Sequence, residues 1–433
     1  MDEILLGRIN ALAQDVFDSL HKSTPFIPGE TPIPVTGKFF GVQEIASAMT
    51  ASGEFWLTSG PRTEEFESKL AKQVGVRHAF MVNSGSSANL IALSALTSKK
   101  LGERRLLPGD EVLTVAAGFP TTVAPIIQCG LVPVYVDIEL GTYVANPEAL
   151  ETAIGPKTKA IMMAHTLGNP FNLGVVTKLA EKYNLWLIED NCDALGGTYR
   201  DKNLGSFGDI STLSFYPAHH ITTGEGGAVL THKAALKPII ESFRDWGRDC
   251  WCAPGRDNTC LKRYEWKLGE LPEGYDHKYT YSHIGYNLKS GEIQAAIGLA
   301  QLNRLDSFVQ KRRENFLKLS HSLEHLSDRL ILPRATQESS PSWFGFPITV
   351  KDSSSKKRNE IVKFLNERKI GTRLLFGGNL IRQPAFIDSP RRVLGNLSST
   401  DKAMNDTFWI GVWPGLTDEM LQYVIESIEE VCT

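Results

Sequence analysis

HAFMVNSGSSANLIALSAL, residues 78–96, holds a nearly continuous apolar run, a turn of small polar residues and then a helical pattern. Outward from it the same alternation repeats. DEVLTVAA is followed by TTVAPIIQCG, then come VPVYVDI and AIMMAH, and VVTKLAEKYN leads into LWLIED. Short apolar strands alternating with helices from about Arg77 to Leu230 predict an α/β fold whose mostly parallel sheet is covered on both faces. Binding sites in such sheets lie beyond the carboxyl ends of the strands.

The remainder of the 433 residues, 42% hydrophobic and 22% charged, reads as an ordinary globular chain long enough for one large unit and a smaller one. A formal net charge of -3 gives no basic field of the kind nucleic acid or an anionic membrane surface requires, so small molecules and other proteins are the expected partners. MDEILLGRINALAQDVF predicts an amphipathic helix without the basic start of a signal peptide. No run approaches the roughly 20 apolar residues of a membrane span, and a cytoplasmic location is expected. The expected division is a helical arm over 1–50, a large cofactor-binding domain over 51–290, and a long linking helix with a small C-terminal α+β domain over 291–433. Within the large domain, 250–283 is an irregular insertion rich in charged, aromatic, Gly and Pro residues. SGEIQAAIGLAQLNRLDSFVQKRRENFLKLSHSLEHL predicts one or two long helices after it, and FGFPITV and GTRLLF predict strands of the smaller domain.

Four strand-end segments carry candidate chemistry. VNSGSSANL, residues 82–90, sets small residues before a helix, so the N–H groups of Ser86 and Ser87 can meet a phosphate there; a merely capped helix start is the alternative. Phe119 in AAGFPTT can stack on a planar ring, or sit in a core. Asp190 in LIEDNCDALG ends a strand, where a carboxylate can meet a protonated pyridine nitrogen and make that ring an electron sink; a capping or ion-paired Asp is the plainer reading. SFYPAHHITTGEGG, residues 214–227, joins a strand-like start to a Gly-rich end through two adjacent histidines, His219 and His220.

Together these pieces resemble the DegT/DnrJ/EryC1/StrS family of nucleotide-sugar aminotransferases and dehydratases. The resemblance runs from WLTSGPRTEEFE at Trp56 through PVYVDIELGTYVANPEALETAI and IEDNCDALGG to GYNLKSGEIQAAIGLAQL. It implies the aspartate aminotransferase-like fold, fold type I of the pyridoxal phosphate (PLP) enzymes, and a PLP or pyridoxamine 5′-phosphate (PMP) cofactor. Ser86, Ser87 and Ser214 would hold the cofactor phosphate, Phe119 would stack on its ring and Asp190 would pair with its nitrogen. Asn287 would reach the phosphate from the other subunit of a homodimer. Asp193 stands beside the cofactor where aminotransferases commonly carry His, and Tyr216, on the substrate side, replaces another frequent His.

The family's Schiff-base lysine lies five residues before the first Gly of its G-E-G-G run, and that position here is His219. Imidazole forms no stable Schiff base, so PLP would be neither tethered nor recycled. PMP held by non-covalent contacts can still offer its own amine to a ketone. His219, with an ordinary pKa near ~6.5, suits removal of a C4′ proton and expulsion of a hydroxyl beta to the new imine. Dehydration then replaces amino transfer, as in the family's 3-dehydratases of 4-keto-6-deoxy sugars. His220 is a candidate substrate contact and the next choice of base.

Cys192, Cys250, Cys252 and Cys260 are spaced C-x57-C-x-C-x7-C. Four thiolates can hold structural zinc or an iron–sulfur cluster, and the absence of paired C-x2-C knuckles favours the cluster. The spacing also resembles the [2Fe-2S] motif of family members that deoxygenate CDP-4-keto-6-deoxyhexoses at C3, on the route to 3,6-dideoxyhexoses such as ascarylose and the O-antigen sugars of lipopolysaccharide. Cys192 is at most about 7 Å of backbone from Asp190, which would put a cluster at the pocket's edge. The chain has no G-x-G-x-x-G fingerprint of its own. The resemblance therefore implies a separate NADH-dependent flavin and iron–sulfur reductase as electron source. Cys129 and Cys432 read as small buried or terminal thiols.

For the two phosphates of a nucleotide sugar, Arg373, Asn379 and Arg382 are candidates, with Lys289 of a partner subunit. His165 and Asn169 in AHTLGNP can touch the sugar or pack in the core. Two alternatives stand beside this expectation. One is a self-contained PMP dehydratase, or an aminotransferase relative, with structural zinc. The other is a chain that keeps the fold for binding or regulation alone.

Overall fold

The computed structural model describes residues 2–21, 24–252 and 255–432. Seven strands form the main sheet: β1 (His78–Val82), β2 (Glu111–Val115), β3 (Val132–Val136), β4 (Thr158–Ala164), β5 (Trp186–Asp190), β6 (Ile210–Ser214) and β7 (Gly227–Thr231). Their order is β1-β7-β6-β5-β4-β2-β3, and the two-residue strand Arg392–Val393 adds to the β3 edge. Pairing is parallel except at β7, which runs antiparallel to both β1 and β6. The mostly parallel α/β sheet expected from the alternation is present.

Most of these runs are largely apolar because both faces are covered. Leu113, Val134, Ile161 and Leu187 point into one core, while Val112, Tyr135, Met162 and Ile188, one residue away in each strand, point into the other. The period of two thus survives, but both phases are buried. At the carboxyl ends of β1, β2 and β5 the chain turns into the helix Gly85–Leu96, the helix Pro120–Gln128 and the bend after Asp190.

A second, antiparallel sheet is built by β8 (Gly345–Val350) and β9 (Thr407–Gly411), flanked by Leu330–Ile331 and Arg373–Leu374. Its core is shared with the helices Leu305–Leu323, Arg358–Glu367 and Asp418–Cys432. FGFPITV is a strand as expected, whereas GTRLLF contributes only Arg373–Leu374 before Phe376 takes a left-handed turn at φ 45°. The long helical pattern resolves into two helices, Glu292–Leu302 and Leu305–Leu323. In the N-terminal region, Val42–Glu54 is a helix packed on Glu292–Leu302, so the expected arm boundary at residue 50 falls inside it. The 250–283 segment is irregular among its described residues, with one 3-10 turn at His277–Tyr279 and an Arg263–Asp276 ion pair bracing it. Among the described residues no helix is long and apolar enough to cross a membrane.

Glu292 ties the start of one helix to another. Gly60 has no side chain with which to cap Pro61–Val74, and the cap comes instead from Glu292, 230 residues beyond Arg62. Its Oε1 accepts from the Gly60 and Thr63 amides (2.8 and 2.9 Å) and the Thr63 hydroxyl (2.6 Å), and its Oε2 accepts from the Arg62 amide (2.8 Å). Glu292→Ala strands these buried donors and removes a negative charge from the helix start. It is expected to lower urea-unfolding stability by about 2–4 kcal/mol. A loss under about 0.5 kcal/mol would show that water replaces the carboxylate.

Candidate active site

A cavity of about 800 Å³ opens at the carboxyl ends of the strands, closed on its far side by Phe344, Arg373, Phe376 and Trp409 of the second sheet's unit. Its volume lies within the range of small-molecule sites. Asp190, the last residue of β5, forms part of the floor and is 5% exposed. Its Oδ2 accepts from Asn89 Nδ2 (2.9 Å) and Thr122 Oγ1 (2.6 Å), and its Oδ1 from the Cys192 amide (3.2 Å). Thr212 Oγ1 donates to Asn89 Oδ1 (2.6 Å), which fixes the orientation of the Asn89 amide. The carboxylate is therefore locked in place, as a partner for a ring nitrogen must be. Asn89, Thr122 and Thr212 were not singled out in the sequence; a polar residue inside ANLIALSAL was the available signal.

Ser84 caps the helix Gly85–Leu96: its Oγ accepts from the Ser87 amide (3.1 Å) and meets the Ser87 hydroxyl (2.9 Å). Ser87 is thus spent on the cap, and Gly85 and Ser86 line the cavity with the N–H groups that open the helix. A Cβ at Gly85 would lie 2.5 Å from the Ser214 Cβ, so glycine is needed to bring Ser214 against this helix start. Ser214 also lines the cavity. Phe119 stands 51% exposed in the cavity with Phe376 edge-on at 6.0 Å, leaving a ring face free.

His219 lines the same cavity, with Nδ1 3.5 Å from Asp193 Oδ1 and its ring 5.1 Å from that of Phe344. Nδ1 is buried and makes no hydrogen bond among the described residues. Burial first, and the Arg312 charge next, push the imidazole pKa down to about 3, so it stands neutral in the cofactor-free protein. Asp193 moves the opposite way: burial and then repulsion from Asp190 push it up to about 8. Arg312, which sequence reading passed over in VQKRRENF, donates to the His219 carbonyl at 3.3 Å. His220 turns away, its Nε2 held by the Ser342 carbonyl.

The raised Asp193 pKa has a sign that can be checked. Unfolded, the carboxyl gives up its proton near pH ~4; folded and cofactor-free, near 8. Its contribution to stability is therefore fully present below pH ~4 and is lost as pH rises toward about 8. Asp193→Asn has no proton to lose. Its stability relative to the unsubstituted apo-protein should rise between pH 5 and 8, by about 1–3 kcal/mol, in denaturant titrations at the two pH values. A pH-independent difference would mean that Asp193 ionises in the fold as it does in water.

The remaining expected residues divide. Tyr216, 52% exposed, and Arg373 line the cavity. His165 does not: it is fully buried, 3.1 Å from Glu189 Oε2 and stacked on Phe171 at 4.4 Å. Asn169 is likewise structural, donating to the Thr142 and Arg334 carbonyls. Asn379 and Arg382 are both taken up by Asp401, at 2.7 Å and through a two-pronged contact of 2.6 and 2.5 Å. Core packing and a competing carboxylate thus remove these side chains from the cavity lining. Asn287 is exposed outside the cavity and accepts from Lys289 Nζ (3.0 Å).

Cys192 lines the main cavity beside Asp190, while Cys250, Cys252 and Cys260 line a separate small cavity with His277. Among the described residues no group of three or more His, Cys, Asp or Glu side chains is arranged to hold a metal ion. The four cysteines are not brought together as one ligand set. Hydrogen bonds from Thr259 and Cys250 outweigh burial and lower the Cys252 thiol pKa, whereas burial and then Asp190 hold that of Cys192 well above its ordinary value.

Residues 41–429 match the family model of the DegT/DnrJ/EryC1/StrS aminotransferase family. The chain belongs to this family. It is 60% identical over 426 residues to the lipopolysaccharide biosynthesis protein RfbH of Salmonella typhimurium, covering 98% of each chain. It is 52% identical over 423 residues to dTDP-4-dehydro-2,6-dideoxy-D-glucose 3-dehydratase of Saccharopolyspora spinosa, covering 98% of this chain and 91% of the relative. Among solved structures, E. coli GDP-4-keto-6-deoxy-D-mannose-3-dehydratase with bound hydrated PLP superimposes with a TM-score of 0.82 at 27% identity, over 91% of this chain and 98% of that one. The fold is that of the family's PLP-dependent enzymes.

Proposed function

We propose that this chain is a PMP-dependent 3-dehydratase of a CDP-4-keto-6-deoxyhexose, assisted by a [2Fe-2S] cluster on Cys192, Cys250, Cys252 and Cys260, in the synthesis of 3,6-dideoxyhexoses of bacterial surface polysaccharide. The observation that carries the reading is His219. At the position of the family's lysine stands an imidazole that lines the cavity and is neutral, with Nδ1 3.5 Å from Asp193. The lining fits the cofactor: a locked carboxylate for the ring nitrogen, a free aromatic face at Phe119, and the Gly85–Ser86 helix start with Ser214 for the phosphate. When bound, PMP would supply an amine for the sugar ketone and a ring that takes up electrons. His219 would remove the proton at C4′ and return it to the departing C3 hydroxyl, while Arg373, which lines the cavity and makes no ion pair among the described residues, would meet a diphosphate oxygen.

A cluster held by these four cysteines would supply single-electron transfer, and a separate NADH-dependent flavin and iron–sulfur reductase would be its electron source. Asn287 and Lys289 would complete the phosphate site across a homodimer. The relative named for lipopolysaccharide biosynthesis and the one named as a 3-dehydratase of a dTDP sugar support the 3-dehydratase and surface-polysaccharide parts of this reading. The test is release of label from C4′-tritiated PMP by the purified chain with the CDP-, GDP- and dTDP-linked 4-keto-6-deoxyhexoses. Fastest release with the CDP sugar is expected, and none with any sugar would refute the assignment.

One observation favours a second reading. Cys192 lies in a different cavity from the other three cysteines, and a self-contained dehydratase, or an aminotransferase relative with structural zinc, needs no cluster that joins them. Iron and acid-labile sulfide in anaerobically purified protein separate the two.

A further inference from the structure

Among the described residues Arg312 carries a buried charge that makes no ion pair, with the Asp193 carboxyl acting on it through space. It projects from the helix Leu305–Leu323, is 1% exposed, and heads the largest fully buried side chains. Its hydrogen bonds among the described residues all go to main-chain carbonyls. Nη1 donates to Trp343 (3.3 Å) and Phe344 (3.4 Å), and Nη2 to His219 (3.3 Å), while Nε has no partner. Burying a guanidinium in this way is unfavourable, and a Met or Leu would fill the same volume without that penalty. Its neighbour Arg313 already fastens Pro341 and Ser340 to the helix, so anchoring that segment does not require a second arginine.

Besides the Trp343 and Phe344 carbonyls, Arg312 holds His219. Phe344, whose carbonyl it holds, lies with its ring 5.9 Å from the guanidinium carbon and 5.1 Å from the His219 ring. The imidazole is thereby fixed at two points, its own carbonyl through Nη2 and its ring through Phe344. The planar fork of an arginine can reach carbonyls on two segments at once, which a lysine cannot.

We propose that Arg312 is the positioning residue for His219, setting the place of the imidazole in the cavity by holding both the His219 carbonyl and the phenyl ring behind it. The inference rests on His219 being the base of the proposed reaction. It gives the first of two adjacent arginines a role distinct from the second, and it predicts a defect in rate with no defect in binding.

The test uses the full chain loaded with C4′-tritiated PMP and CDP-4-keto-6-deoxyglucose, comparing Arg312→Met, Arg312→Lys, His219→Asn and the Arg312→Met/His219→Asn pair. A base displaced by a fraction of an ångström or more is expected to slow release about 100-fold in Arg312→Met, with KM and PMP affinity within about twofold. Arg312→Lys, which keeps the charge and one donor, should recover about tenfold of that loss. In the His219→Asn background Arg312→Met should change the residual release less than about twofold, because a residue that acts through His219 has nothing left to position. An equal loss in both backgrounds, or a loss that appears as weaker PMP binding, would overturn the proposal in favour of a structural role. Wild-type release by Arg312→Met would overturn it outright. Wild-type release by His219→Asn would overturn the base itself and this inference with it. If Arg312→Met does not fold, Phe344→Leu, which removes only the ring behind the imidazole, replaces it in the same comparison, with about tenfold slower release expected and an unchanged rate contradicting the proposal.

Discussion

Replacing His219 by Asn is expected to reduce release of the C4′ label by about a thousandfold or more while PMP stays bound. Asn is close to imidazole in size and keeps a hydrogen-bonding group, so the Phe344 contact and the Arg312 link to the main-chain carbonyl survive. What is lost is the imidazole nitrogen that would take the C4′ proton. No neighbour substitutes for it. His220 is turned into the protein with Nε2 on the Ser342 carbonyl, and Asp193 is held protonated at neutral pH by burial and by Asp190. PMP affinity should be unaffected, since the Asp190 locks at Asn89 and Thr122 and the Gly85–Ser86 helix start are remote from the substitution in sequence and separately held. Equilibrium dialysis of PMP and label release on one preparation check both halves. Unchanged release would move the base to another group.

Cys250→Ser is expected to abolish net deoxygenation, by about a thousandfold, and to leave the C4′ label release of the first half-reaction within about twofold. The physical basis is separation: Cys250 lies in the small cavity with Cys252 and Cys260, not among the residues that face Asp190 and His219. Iron content, acid-labile sulfide and the low-temperature EPR signal of the reduced protein should fall together with net deoxygenation. Loss of both half-reactions would mean that the cysteines support the fold, and retention of both would favour the self-contained dehydratase.

Much of the fold was legible because it follows from local patterns. Apolar runs such as AIMMAH and LWLIED alternate with helical segments, and strands of that kind are stable only between two covered faces. Asp190, Phe119 and Ser214 could be placed because each lies at or just beyond the carboxyl end of a strand, where the chain turns toward the same cavity. His219 was legible from a count of residues back from Gly224. The features that escaped are those set by partners far along the chain. Glu292 looks like one more helical residue until Gly60, some 232 residues earlier, proves to lack a cap. Asn379 and Arg382 resemble phosphate ligands, yet Asp401, 22 and 19 residues on, claims both. Sequence cannot say which guanidinium is already paired, nor whether a strand-end histidine such as His165 turns outward or toward Glu189. Arg312 and Arg313 are adjacent and identical in type, and only packing shows that one meets the His219 carbonyl and the other the loop at Pro341.

The central claim is that an imidazole stands where the family's tethering amine would be, so that the cofactor is held without a covalent bond. Its most direct test is borohydride reduction of the PLP-loaded chain followed by intact-protein and peptide mass spectrometry. The account predicts unmodified protein, with no pyridoxyl adduct at residue 219 or on any lysine. A stoichiometric pyridoxyl adduct on a lysine of the chain would contradict it.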